Sequence, residues 1–264
     1  MQRTFSNRAL PILGFIIVIA VNALANILPI GGRTTGMVSA SYPTLFTPAG
    51  YTFAIWSIIY TALLFYVVYQ FLPGQRSDPM LNRTAWLFSI NCAANAAWIF
   101  CWHYEQLVLS FGVMLVILIT LISIYSNVRK QEHARTPGEY WFVRLPFSLY
   151  LGWICVAALA NISVVQTALN IQSAGLGQVQ WTLIKLALAG TAAAGVLFIR
   201  KDIVFALVAA WAAFGISVKQ AAAPAVAGAS YMLGLLLIMA VALSALSRAG
   251  SAGNRRPRAH TDTA

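Results

Sequence analysis

The chain has 264 residues, of which 60% are hydrophobic and 9% charged, and it carries a net charge of +11. A water-soluble domain carries roughly 25% charged residues, so this composition excludes one. It points instead to helices that each need about 20 apolar residues to cross a bilayer.

The apolar runs predict eight spans, at about 9–30, 51–72, 84–103, 107–127, 146–166, 181–199, 203–218 and 230–247. The expected fold is an all-α integral membrane bundle. Pro73, Pro79, Pro137 and Pro224 fall in the predicted connections. Pro146 reads as a first helical residue, where a missing N–H costs nothing. No stretch is long and polar enough to form an aqueous domain.

The first span has basic residues upstream, and Ala23-Leu24-Ala25 resembles a signal cleavage site. Its apolar run of about 20 residues is longer than a signal core, so the reading is a retained span. The following connection, Gly31 to Tyr51, contains Pro43, Pro48 and several aromatic residues. It reads as a lid over one mouth of the bundle, or as an aromatic belt at the interface. Phe53, Trp56 and Tyr60 then stripe the start of the second span at i, i+3 and i+7.

The third span carries no charge from Thr84 to Trp102. Asn91, Asn95, Trp98 and Trp102 stack on one helical face at i, i+4, i+7 and i+11. Two amides in an apolar span are costly unless they meet partners, so this face should look inward. His103 and Glu105 read as an exposed turn after that span. In the fifth span Tyr150, Trp153, Ala157 and Asn161 share a face. Asn161 needs a partner, and Asn91 and Asn95 are candidates. Asn95 and Asn161 are expected to bond each other or a shared group.

In the last three spans, Ala187, Thr191 and Gly195 form a small-residue ridge suited to close packing. Lys185 is the clear intramembrane charge. It reads as snorkelling to the interface, or as pairing with Glu105 or with an acidic ligand group. Cys92, Cys101 and Cys155 read as small buried hydrophobes without metal or disulfide spacing.

Basic residues set the expected orientation. With eight spans, Arg3, Arg8, Arg76, Arg83, Arg129, Lys130, Arg135, Arg144, Arg200, Lys201, Arg248, Arg255, Arg256 and Arg258 share one side. Arg33 and Lys219 occupy the other. The expectation is an integral protein of a bacterial plasma membrane with both termini cytoplasmic. The positive charge is explained by this asymmetry and calls for no nucleic acid.

Three segments resemble the tryptophan-rich sensory protein, or TspO/MBR, family, which includes the mitochondrial translocator protein. P-A-G-Y-T-F-A-I-W-S-I-I-Y, from Pro48 to Tyr60, is similar to the family's W-x-F-x-P-V-W-T-x-L-Y. N-A-A-W, Asn95 to Trp98, is similar to L-N-x-x-W. Y-L-G-W-I-C-V-A-A-L-A-N, Tyr150 to Asn161, is similar to Y-x-x-W-x-x-F-A-x-x-L-N. The segments occur in the family's order and coincide with the inward faces. Tyr51 replaces a tryptophan, a proline before Trp56 is missing, and Val156 and Ala160 replace Phe and Leu. The resemblance implies a five-span core at 1–166; in departure from the family, the apolar runs add three spans at 167–248, followed by a basic cytoplasmic tail at 249–264 expected to be disordered.

It also implies a site for a flat apolar ligand such as a tetrapyrrole, sterol or isoprenoid, with a sensory or translocating role. The site residues implied are Tyr51, Phe53, Trp56, Tyr60, Asn95, Trp98, Tyr150, Trp153, Ala157 and Asn161. No obligatory cofactor and no metal are implied. The expected partners are the lipid bilayer, the ligand and, as one admissible assembly, a second copy in a homodimer. No phosphate loop, nucleophile elbow or zinc spacing points to an enzyme. Two alternatives stay open: a membrane enzyme modifying a tetrapyrrole or isoprenoid, and a small-molecule permease.

Overall fold

A computed structural model describes residues 6–28, 30–75, 77–130, 134, 136–171 and 175–253. Ten α-helices follow in chain order: α1 Ser6–Ile27, α2 Thr35–Ala40, α3 Ile55–Tyr69, α4 Pro79–His103, α5 Leu107–Val128, α6 Pro137–Glu139, α7 Leu145–Ala168, α8 Gln178–Arg200, α9 Ile203–Lys219 and α10 Pro224–Gly253. Seven helical segments are long and apolar enough to cross a membrane; α9, with 17 residues, is a shorter apolar helix. At about 1.5 Å per residue, α9 is roughly 25 Å long, just under the hydrocarbon thickness of about 30 Å. The protein is an all-α integral membrane bundle. Its outer surface fits lipid, with Ile17, Ile58, Leu64, Phe65, Val108, Leu109 and Ile119 exposed.

Five helices close a ring. In packing order they are α1, α4, α5, α7 and α3, with α3 returning to α1. A second group, α8, α9 and α10, packs mutually and meets the ring chiefly where α9 lies on α7. Gly152 allows that approach, because a Cβ there would lie 3.1 Å from the Val208 Cβ. The small-residue ridge expected at Ala187, Thr191 and Gly195 is not the packed face of α8. Ala187 and Thr191 are exposed, and Gly195 has nothing near its missing Cβ. The close approach uses Gly190, where a Cβ would lie 2.7 Å from Leu233. Gly190 is one residue from Thr191, about 100° around the helix, and apolar residues on both rows gave periodicity no basis for choosing.

The prolines sit differently from expectation. Pro79 opens α4 one residue after Asp78, whose carboxylate caps the backbone N–H groups of Met80 and Leu81 at 2.8 and 3.4 Å. Pro137 and Pro224 likewise begin helices. Pro146 is the second residue of α7, as expected, but that helix has no free start: α6, a π-helical turn Tyr140–Arg144 and α7 form one continuous segment of 32 residues. Pro146 has no N–H for the carbonyl four residues back, and its ring crowds that carbonyl. The widened turn just before it relieves both problems. The same turn places Glu139 and Arg144, five residues apart, on one face. There they form a buried ion pair at 2.9 Å.

The two ends of the bundle are chemically distinct. At one end Asp202 caps α9, accepting from Val204 and Phe205 N–H at 3.1 and 3.3 Å. It also receives Arg129 at 2.8 Å, Tyr125 at 2.9 Å and Ser148 at 2.6 Å. This basic end further holds Arg200 and Lys201, whose carbonyls accept from Arg129 and Arg248. The α10 helix runs on to Gly253, so the tail expected from 249 begins as helix, and beyond Gly253 it lies outside the described residues.

At the opposite end, the connection between α1 and α3 folds over the bundle. Val38 of α2 is buried against Trp102, Leu107, Val164 and Val165, so this segment covers the ends of α4, α5 and α7. Arg33 and Tyr42 both bond Glu105, and the Trp102 indole donates to the Thr35 carbonyl at 3.2 Å. From the other side, α9 holds the segment that leads into α3. Ala49 N–H donates to the Gly215 carbonyl at 2.9 Å, and Trp211 Nε1 donates to the Thr52 carbonyl at 3.0 Å. Gln220 Nε2 donates to the carbonyls of Thr44 and Thr47 at 3.2 and 3.1 Å.

Candidate functional site

The inward faces of α3, α4 and α7 meet inside the ring. A 3₁₀ turn, Gly50–Ala54, leads the chain into α3 and brings Phe53 edge-on to Trp153, with ring centroids 5.8 Å apart. Trp56 occupies the centre. It stacks on Tyr60 at 5.3 Å and meets Tyr150 at 5.9 Å and Trp153 at 6.3 Å, both edge-on. The edge-to-face arrangement sets the positive rim of one ring on the negative face of another.

A polar chain crosses this aromatic group. Asn95 donates to the Tyr150 hydroxyl at 2.7 Å, while its carbonyl accepts from Asn22 of α1 at 3.0 Å. The Tyr60 hydroxyl lies beside Asn95 and Tyr150. Three helices of the ring are thereby tied to one amide. Asn161 is elsewhere: it donates to Ser110 of α5 at 3.1 Å. The expected Asn95–Asn161 link is therefore absent, and the two amides share no partner. Asn161 lies three helical turns beyond Tyr150, level with α5 rather than with Asn95. Asn91 also bonds α5, donating to Thr120 Oγ1 at 2.9 Å and to the Ile117 carbonyl at 3.1 Å.

The remaining predicted residues divide. Trp98 is half-buried and stacks on Trp102 at 5.3 Å, toward the lid end. Ala157 lies on α7, half-buried beside the core. Tyr51 is 49% exposed and rests edge-on against Trp211 of α9 at 5.4 Å, outside the aromatic group. The indole N–H groups of Trp98 and Trp153 are buried and have no hydrogen-bond partner among the described residues. Such orphaned donors are costly in an apolar interior.

Other expectations are revised by position. His103 is buried as the last residue of α4, with Nδ1 2.8 Å from the Ile99 carbonyl, so it forms no exposed pair with Glu105. Lys185 is turned into the protein, where its ammonium donates to Ser163 at 2.7 Å and to Gln166. It neither snorkels nor meets Glu105, which is occupied by Arg33 and Tyr42. A cavity of about 210 Å³ adjoins it between α7 and α8. Among the described residues, no cluster of three His, Cys, Asp or Glu could hold a metal ion. Asn22 and Asp202 did not figure among the sequence candidates. Each was detectable as a polar residue within or directly beside an apolar run.

A closed helical ring, a covered mouth and an amide-centred aromatic interior define the class: a polytopic α-helical membrane protein with a polar–aromatic core. The chain matches the family described as TSPO-like protein over residues 8–243, and it belongs to that family. The matched region runs through α8 and α9 and into α10, past the segments that carry the three motifs. No curated protein and no solved structure matches the chain.

Proposed function

We propose that this TspO-like membrane protein binds a flat, largely apolar ligand between α3, α4 and α7, in a sensory or translocating role. The observation that carries this reading is the pair of buried, unpartnered indole N–H groups on Trp98 and Trp153, bordering an interior rich in aromatic faces. A planar ligand with acceptor atoms supplies what both lack: stacking area and hydrogen-bond acceptors. Trp56 touches the rings of Tyr60, Tyr150 and Trp153 at once, so a ligand entering among them displaces its side chain. The five-helix ring forms the ligand-binding unit, and α8–α10 buttress it through α9. Both termini lie in the cytoplasm, on the basic end.

Protoporphyrin IX titrated into detergent-purified protein should quench tryptophan fluorescence saturably. Trp153→Phe removes one neutral donor and should weaken binding roughly 2–10-fold. Unchanged affinity in Trp56→Phe, Trp98→Phe and Trp153→Phe alike would exclude this interior as the site. Recovery of the pigment chemically unaltered after long incubation separates binding from turnover, and a new product would favour the enzyme reading.

A further inference from the structure

We propose that the cavity between α7 and α8 is a binding site for an organic carboxylate, with Lys185 as its charge partner and Trp181 as a second donor. It is lined by none of the residues of the aromatic interior, so it stands whether or not that interior binds a ligand.

Lys185 is 6% exposed, yet its ammonium meets only neutral groups, the Ser163 hydroxyl and the Gln166 amide oxygen. An ammonium has three donors, and these two contacts leave one. The acidic residues among those described are engaged elsewhere. Asp78 caps α4, Glu105 bonds Arg33 and Tyr42, Glu139 pairs with Arg144, and Asp202 pairs with Arg129. A buried charge without a counter-charge is expensive, and a matching anion removes most of that cost.

Two further features add positive potential at the same cavity. Trp181 lines the cavity beside Lys185, and its indole N–H, buried with no partner among the described residues, becomes a donor to a ligand there once the ring turns. Gly177 and Gln178, also in the lining, form the start of α8, whose cap residue has no side chain to satisfy the first N–H groups. A helix start of this kind favours negative charge.

The charge count selects the anion. One ammonium and one neutral N–H match the single charge and two oxygens of a carboxylate. A phosphate dianion would keep a second charge unmatched. The cavity volume of about 210 Å³ leaves room for an organic body behind the carboxylate, against Leu45, Ile171 and Leu176.

The test is binding of radiolabelled benzoate to the full-length protein in detergent, with benzamide as the neutral analogue of the same shape. Benzoate should bind saturably and benzamide should not compete. Lys185→Met should weaken benzoate about 10–150-fold, as expected for loss of a charge-assisted hydrogen bond, and Trp181→Phe about 2–10-fold. Octanoate competing much more strongly than benzoate would assign the site to the head of an amphiphile. Parity between them would assign it to a free small carboxylate. The proposal is overturned if benzoate does not bind, if benzamide or inorganic phosphate competes as well as benzoate, or if Lys185→Met binds benzoate unchanged. If Lys185→Met does not fold, the benzoate–benzamide difference and Trp181→Phe decide the matter between them.

Discussion

At the scale of single residues, each interior amide has its own partners, and this sets how substitutions combine. Asn95→Leu strands the Tyr150 hydroxyl and leaves the Asn22 amide with only its bond to the Val18 carbonyl at 2.9 Å, and should cost about 1–3 kcal/mol. Tyr150→Phe removes that orphan, so the double replacement should cost less than the sum. Asn161→Leu instead removes the donor to Ser110, whose hydroxyl keeps its bond to the Leu107 carbonyl at 2.7 Å. Because Asn95 and Asn161 share no partner, their effects should add to within about 0.5 kcal/mol. Thermal unfolding in detergent without ligand measures both cycles. Strong coupling between Asn95 and Asn161, or strict additivity between Asn95 and Tyr150, would contradict the observed pairing. The inward direction of Asn91, Asn95 and Asn161 was legible in the sequence, because helical period and the cost of a bare amide in apolar surroundings suffice for that. The identity of each partner was not legible. Periodicity orients a side chain on its own helix and says nothing of which neighbour stands opposite, or at what height.

At the scale of elements, α9 is the wedge between the two helical groups. Nine of its residues, from Phe205 to Ile216, are buried, and its backbone meets the lid segment directly. Gly215 is the tightest point: a Cβ there would lie 2.2 Å from Thr52 Oγ1. Gly215→Ala should therefore lower stability by roughly 1–3 kcal/mol, as overpacking does. The displaced Thr52 should also loosen the lid, which limited proteolysis of the 43–52 segment would register. A stability equal to the unsubstituted protein, with no gain in cleavage, would contradict this packing. The existence of the spans was legible from 20-residue apolar windows alone. The continuous Pro137–Ala168 segment was not. A proline at a helix start and a proline preceded by a π-helical turn look identical in sequence, and only the backbone distinguishes them. The row of α8 used for packing was hidden for a similar reason, since small residues occur on more than one face.

For the whole molecule, the separation of charge along the bundle makes a topological prediction. Arg129, Arg200, Lys201 and Arg248 gather around Asp202 at one end. Arg33, Glu105 and Gln220 lie at the lid end. Cytoplasmic loops are enriched in Lys and Arg. Reporter fusions at Ala264 and beside Gly175 should therefore report opposite sides, with Ala264 cytoplasmic. Signals from the same side would mean that one helix, with α9 the first suspect by its length, does not cross.

The hold of α9 on the lid also has a history in time. The Trp211–Thr52 and Gln220–Thr44 bonds join residues 159 and 176 positions apart. At a synthesis rate of about 5–20 residues per second, the lid waits roughly 8–35 s for its clasp to be made. Throughout that interval the five-helix ring can assemble with its lid held only by its own contacts, Val38 against α4, α5 and α7 and Arg33 and Tyr42 on Glu105. Bonds this distant in the chain form late and slowly. The nascent protein thus passes through a stage with its lid fastened on one side alone, which the finished one leaves behind.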